Sequence, residues 1–499
     1  MNESVKFKVD WDISRIIIVA ILGICSGAIL VTSAAYGKKW LVAVSLGLIS
    51  LFSLFAITRN LKYFFTLLAV FFIPIRLDFH LIFKTTPYVQ LKGLPLTMFD
   101  IAFALLIVYW IFQLLSREKD YCFFPSISIP ALLYILLAGI SAFSSQDREL
   151  SFSMLFLIMK AYLVFLYFAN NIRTKEEILG IIAVLTFGIF IQSSIGIMQH
   201  ISGGTLGMDI FGEGERAFRT TVSGYTFLTR VGGTLGDPNS LAMYLNFILP
   251  ILLCFLFTKT HLKLRLFAGT VFFSGVLAEI FTLSRGGWIA LSSGLIIALY
   301  GIYKGKLKSR LKSIAIILII ISFFTVTILG FFPDVRARLF EDDYGAAYSR
   351  VPMIKVAYNV IKDNPLRGVG LNNYTTVMNR YDRTRENISY NFPFPVHNAF
   401  LIIASESGLL ALFCFLLVIL GNFRKSMLFF KGKYCFLSIL GIGCICGILT
   451  WIIHAQFKMD FAGINVVLWF SMGMVAALHR MLQVSLRDEL NKPSKESWS

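Results

Sequence analysis

Fourteen apolar runs, each near the length of a membrane crossing, follow one another along this chain with mostly short polar loops between them. They cover residues 13–32, 40–57, 61–75, 96–115, 127–143, 151–169, 178–201, 238–258, 267–283, 287–303, 311–332, 398–420, 434–453 and 463–482. A hydrocarbon layer ~30 Å thick takes roughly 20 helical residues to cross. It offers the backbone no hydrogen-bond partners, so a spanning segment must be a helix or part of a closed barrel. These runs lack the alternation of barrel strands. The expected fold is therefore an all-α polytopic membrane protein of about 14 transmembrane helices. It has twelve if the short run 61–75 and the Pro130-containing run 127–143 do not cross. Composition agrees: 57% of residues are hydrophobic and 15% charged, where a soluble domain is about a quarter charged.

The net charge of +18 could suggest nucleic acid, but its placement does not. With fourteen spans and a cytoplasmic N-terminus, the inside segments hold 25 Lys and Arg and the short outside loops hold 8. Two long outside loops, 202–237 and 333–396, hold another 12. Short basic loops stay cytoplasmic, so the count sets the orientation and places both termini inside. The expected divisions are an N-terminal seven-span half (1–201), an extracytoplasmic loop (202–237), central spans (238–332), a long extracytoplasmic loop carrying surface helices (333–396), three C-terminal spans (397–482) and a cytoplasmic tail (483–499). The N-terminal run has no small-residue cleavage site and reads as an uncleaved span. None of the seven cysteines lies in a long polar loop and no C-x-x-C pair occurs, which argues against a disulfide framework or zinc site.

The topology gathers several polar features on one face. In 220–244, three glycines (Gly232, Gly233, Gly236) lead to Asp237-Pro238-Asn239, a capped helix start. Arg219 and Arg230 lie on the side disfavoured for positive charge; beside a helix start they suit an anion such as phosphate. Arg285 sits in a very short turn between two apolar runs, where an ionisable residue is costly without a partner. Glu279, about a turn and a half deeper, is a candidate partner. In the long loop, Val351, Ile354, Tyr358 and Ile361 recur at helical spacing, as in a helix lying on the membrane or the bundle. Asn364-Pro365 ends that helix, and Gly368 and Gly370 permit a tight turn. Arg350 at its start is either an interfacial anchor or an anion ligand. His397 precedes a long apolar run and sits at its outer mouth, where an imidazole can take a proton near neutral pH. Glu406, nine residues on, lies roughly 13 Å deeper on a helix, too far to orient His397 directly, and reads as a buried structural residue. No metal-binding constellation and no phosphate-binding G-x-x-x-x-G-K-[ST] loop is present.

Four ordered pieces, RVGGTLGDPNSLAMYL, TLSRGGWIAL, NPLRGVGLNNY and VHNAFLIIASESGLLAL, give the second half a resemblance to the O-antigen ligase and polysaccharide polymerase superfamily. The resemblance implies a bacterial inner-membrane glycosyltransferase needing neither metal nor cofactor. Its implied donor is an undecaprenyl-pyrophosphate-linked glycan on the extracytoplasmic face. Its acceptor is a glycan or lipid, and polysaccharide export proteins are further candidate partners. It implies His397 as the base, with Arg230, Arg285, Arg350 and Arg219 around the pyrophosphate. Asp237, Asn239, Asn398, Gly368 and Glu406 are the candidate supporting residues. The competing expectation is a lipid-linked oligosaccharide flippase, which predicts polar groups through mid-membrane and related halves; here the polar groups collect on one face. In a background with the native cysteines replaced, Lys362→Cys should react with an impermeant thiol reagent on intact cells. Labelling only after cell rupture would invert the topology.

Overall fold

The structure, a computed structural model, describes residues 60–75, 78–84, 91–116, 121–214, 218–222, 226–303, 330, 332–340, 348–431, 435–458, 463 and 465–490. Expected spans 13–32 and 40–57, and nearly all of 311–332, fall outside these residues. The chain divides into two compact units, Met1–Thr66 and Leu67–Ser499.

The protein is an all-α polytopic membrane protein. Ten helices among the described residues are long and apolar enough to cross a membrane. Helix α1 (Leu61–Phe72) has 12 residues, which at ~1.5 Å per residue falls short of a crossing. The crossing helices are α2 (Met98–Leu115), α3 (Pro125–Phe143), α4 (Arg148–Asn171), α5 (Lys175–Ser202), α6 (Pro238–Leu256), α7 (Leu262–Phe281) and α8 (Arg285–Tyr303). Three more follow the long loop, and the run containing Pro130 is among the ten. Helix starts follow capping chemistry. Thr97 with Asp100 and Thr174 with Glu177 form capping boxes, each satisfying backbone N–H groups that the first turn leaves open. Two antiparallel hairpins interrupt the helical pattern: β1 (Asp78–Phe83) with β2 (Gly93–Thr97), and β3 (Phe218–Val222) with β4 (Thr226–Arg230).

The centre of the bundle is α6 against α13 (Phe436–His454), which also packs on α8, α12 (Leu409–Lys431) and α14 (Val466–Leu490). Gly443 and Gly447, four residues apart, bring the α13 backbone against Pro250, Ile251 and Phe247 of α6. Small residues at this spacing are how helices approach closely in lipid, where apolar burial drives little association. Thr450 Oγ1 donates to the Asn246 carbonyl at 2.8 Å and ties the same pair. In the periphery, Lys160 of α4 pairs with Asp100 of α2 at 2.8 Å, which accounts for a lysine inside a span.

The long loop folds on its own core. Helices α9 (Pro333–Phe340) and α10 (Arg350–Asp363) lie within it, and Met353, Val356, Ala357 and Val360 of α10 bury against Tyr374, Met378, Ile388, Val396 and Ile402. The expected stripe, Val351, Ile354 and Tyr358, is exposed and Ile361 half-buried, so of the two alternatives, membrane or bundle, it is not the face that packs on the bundle. Both faces of α10 are apolar, so spacing alone picks out a helix and not its inner side.

The expected span 398–420 is two helices. Helix α11 (Ala399–Ser407) ends at Gly408, and the crossing helix α12 starts after it. Gly408 has φ 88° and ψ 167°, a region essentially reserved for glycine. The break is shaped by pairing with the NPLRGVG turn. Val369 N donates to the Ser405 carbonyl at 2.9 Å, Gly370 N to the Glu406 carbonyl at 3.1 Å, and Leu409 N to the Pro365 carbonyl at 2.8 Å. A Cβ on Gly408 would strike the Leu366 carbonyl, and one on Gly368 (φ 64°) would strike Glu406. Gly408→Ala should therefore destabilise the protein by about 1–3 kcal/mol, from backbone strain alone. The check is the thermal unfolding midpoint of the purified protein, where an unchanged midpoint contradicts the account.

Candidate functional site

One end of the bundle carries a knot of polar groups built on the turn between α7 and α8. Strand β4 reaches it through Val231 N, which donates to the Phe281 carbonyl at 3.3 Å. This seats Arg230 over the turn: Nε donates to the Thr282 carbonyl at 2.9 Å and Nη2 to Asn239 Oδ1 at 3.1 Å. Leu283 in the turn has a positive φ of 50°, uncommon for a branched residue, and is buried with Leu228 of β4 and Val335 of α9. Arg338 of α9 donates through Nε to the Leu283 carbonyl at 3.4 Å. Ser284 Oγ lies 2.9 Å from Asn239 Oδ1 and 3.4 Å from Nε2 of His454, the last residue of α13.

Asp237 caps α6, accepting from Ser240 N at 2.8 Å and Ser240 Oγ at 3.0 Å. Lys458 donates to Ser240 Oγ at 2.9 Å and lies 3.9 Å from the Asp237 carboxylate. Burial alone would raise the Asp237 carboxyl; the Lys458 charge and the Ser240 hydrogen bonds outweigh it and hold the group below its usual range. Arg230 is pulled down to about 10, first by burial, then by the charges of Arg338, Arg350 and Arg285, with Asp237 acting the other way. Arg230, Arg285, Arg338 and Arg350 thus share one electrostatic neighbourhood although they come from β4, α8, α9 and α10.

His397 belongs to the same neighbourhood. Its pKa falls to about 4, first through burial and then through the Arg350 charge, while the Pro395 carbonyl and Asp237 oppose the shift. The ring is neutral at neutral pH, and its buried Nδ1 has no partner of hydrogen-bonding geometry among the described residues. Asn398 fixes the backbone beside it. Its Oδ1 caps α11, accepting from Phe400 N and Leu401 N at 3.0 Å each, and its Nδ2 donates to Gln456 Oε1 at 2.8 Å. Ala399 N donates to the Ala455 carbonyl at 2.9 Å, which docks the His397 segment on the α13 terminus.

Of the expected site residues, the structure brings together His397, Arg230, Arg285, Arg350, Asp237, Asn239 and Asn398. Arg219 lies in β3, and its side chain is outside the described residues. The glycine-rich backbone turns elsewhere: Gly232 N and Gly233 N donate to Gln199 Oε1, and Thr234 N to Gln192 Oε1. Any anion there would meet side chains and not these amides. Both Glu279 oxygens are buried with no hydrogen-bond partner among the described residues, so Glu279 is not hydrogen-bonded to Arg285.

Glu406 stands at the far end of α11, as expected along the helix that follows His397, and the break at Gly408 comes only after it. It accepts from Asn372 N at 3.0 Å and Tyr374 N at 3.3 Å, closing the turn in which Asn372 takes φ 56°. Gly368 lies against its backbone, so both residues hold the long loop to α11. From the N-terminal half, Ser141 Oγ donates to the Glu406 carbonyl at 2.5 Å and Ser151 Oγ to the Leu371 carbonyl at 2.6 Å. Arg338, His454 and Lys458 were missed in the sequence. Their one signal was charge on the disfavoured side for Arg338 and Lys458; His454 gave none.

Residues 270–416 match a family model described as O-Antigen ligase. The match contains Arg285, Arg350, Gly368, His397, Asn398 and Glu406, and begins after Arg230, Asp237 and Asn239. No curated protein matches the chain.

Burial raises the Glu406 carboxyl to about 7, against the opposing hydrogen bonds from the Asn372, Tyr374 and Asn373 backbone. The folded state therefore holds this proton more tightly than the unfolded chain, whose group titrates near 4.5. Stability from this group is full below about pH 4.5 and is lost as pH rises towards 7. Glu406→Ala should cost about 1–3 kcal/mol by leaving buried amides without an acceptor. Glu406→Gln keeps an acceptor, and its stability relative to wild type should improve as pH rises through that window. Unfolding midpoints of the three proteins from pH 4.5 to 7.5 check both expectations; parallel curves count against them.

Proposed function

From a chain that carries an O-antigen ligase domain, we propose a membrane enzyme that transfers glycan from an undecaprenyl-pyrophosphate-linked donor on the extracytoplasmic face. The observation that carries this reading is the meeting of a neutral histidine, His397, with Arg230, Arg285, Arg350 and the Asp237 carboxylate. Guanidinium groups gathered in a half-buried site suit an anion, and the planar fork of arginine matches phosphate oxygens. Arg338 adds to the same charge.

The chemistry follows from those positions. The acceptor hydroxyl attacks the anomeric carbon of the donor sugar. The bond from that carbon to the pyrophosphate oxygen breaks, and the leaving oxygen keeps the electron pair. The arginines stabilise the charge that develops on it. The hydroxyl proton passes to His397, which is unprotonated and able to accept it. The Arg350 charge that depresses His397 is offset once pyrophosphate is bound, so the imidazole becomes more basic when the donor is in place. The enzyme lies in the bacterial inner membrane, with its termini on the cytoplasmic side.

The test is transfer from a purified undecaprenyl-pyrophosphate glycan by the full chain in nanodiscs, over a range of pH. His397→Ala should lose on the order of 10²–10⁴ in rate, and Arg285→Ala should lose donor binding. The acid limb of kcat/KM, which reports the free enzyme, should fall near pH 4, and that of kcat, which reports the donor complex, at higher pH. Full activity in His397→Ala, or a kcat limb at lower pH than that of kcat/KM, would refute the assignment.

A further inference from the structure

Four side chains from four elements form a line through the site: His454 of α13, Ser284 before α8, Asn239 of α6 and Arg230 of β4. The hydrogen positions along it follow from valence. Arg230 has donors only, so the Asn239 atom 3.1 Å from Nη2 must be the carbonyl oxygen. That oxygen cannot donate, so the Ser284 hydroxyl, 2.9 Å away, must donate to it. With its proton committed, Ser284 Oγ can only accept from His454 Nε2 at 3.4 Å. His454 is therefore the Nε2–H tautomer, and its buried Nδ1 is left bare, in keeping with its having no partner among the described residues. His454 is 1% exposed and Ser284 4%, so water does not compete for these bonds.

The geometry points to His454, Ser284 and Asn239 as a polarised chain of positioning residues that holds the Arg230 guanidinium in place for the donor pyrophosphate. The second anchor is the Thr282 carbonyl on Nε. Together the two bonds leave Nη1 without a protein partner among the described residues. The chain joins the two central helices α6 and α13 to the α7–α8 turn, so a shift of α13 is carried to Arg230 through hydrogen bonds of fixed sense. The inference rests on the proposed function for its ligand, but not for its proton order.

Two measurements test it on the full chain in nanodiscs. Binding of undecaprenyl pyrophosphate should weaken about tenfold in Ser284→Ala and in His454→Phe, the loss expected for one buried hydrogen bond to a charged network. His454→Gln, which can still donate to Ser284, should restore binding. On an Arg230→Ala background, Ser284→Ala should add nothing, since its effect passes through Arg230. A tenfold loss that persists on that background makes the residues merely structural and overturns the inference. So does wild-type binding in Ser284→Ala and His454→Phe while Arg230→Ala binds poorly. Wild-type binding in Arg230→Ala refutes the pyrophosphate reading, and with it the role of the chain in donor binding. The proton order is read separately from the imidazole ¹⁵N shifts of His454 in selectively labelled protein. The neutral Nε2–H form is expected; the Nδ1–H form contradicts the chain whatever the ligand.

Discussion

One carboxylate, Asp237, is the counter-charge around which the polar end of the bundle is arranged. It caps the most buried of the crossing helices and meets Lys458, and its charge is felt by Arg230 and His397. Lys458 and the guanidinium groups of Arg230, Arg285, Arg338 and Arg350 gather around it. Cations brought together out of water repel one another, and an arriving anion relieves that repulsion. A site of this kind is held in readiness by its packing, here the apolar contact of Leu228, Leu283 and Val335 that fixes β4, the α7–α8 turn and α9 together.

The second half of the arrangement is mechanical. The long loop is tied to α11 by backbone bonds between the NPLRGVG turn and the Ser405–Leu409 segment, and by Glu406 reaching the Asn372–Tyr374 turn. Helix α10 opens at Arg350, and α11 opens just after His397. Clamping the loop to the C-terminal end of α11 thus fixes Arg350 of one helix relative to His397 before the other. Serines from α3 and α4 reach the same clamp, so the N-terminal half, which carries no recognisable motif, supports the site from behind.

Much of this was legible in the sequence, for definable reasons. Spans announce themselves by length and hydropathy, and Asp237-Pro238 announces a helix start by capping chemistry. His397, Arg230, Arg285 and Arg350 stood out because charge is costly where they lie. The break at Gly408 was not legible, because hydropathy does not register a backbone angle: nine apolar-rich residues before it and the crossing helix after it read as one run. The inner face of α10 was not legible, because Val351, Ile354 and Tyr358 form as good a stripe as Met353, Val356 and Val360. His454, Lys458 and Arg338 join the site only through tertiary contacts, and no local pattern marks such convergence.

The pair Asp100–Lys160 has a consequence for how the chain enters its membrane. Each member sits in a helix otherwise suited to lipid, and the two close at 2.8 Å across α2 and α4. Alone in hydrocarbon, the lysine of α4 is a burden of a few kcal/mol on its insertion. Met98–Leu115 is made first, and its capped aspartate is in place when the later helix arrives. The biosynthetic machinery would then release these two helices, with α3 between them, into the bilayer as one package whose two charges cancel, and not one at a time.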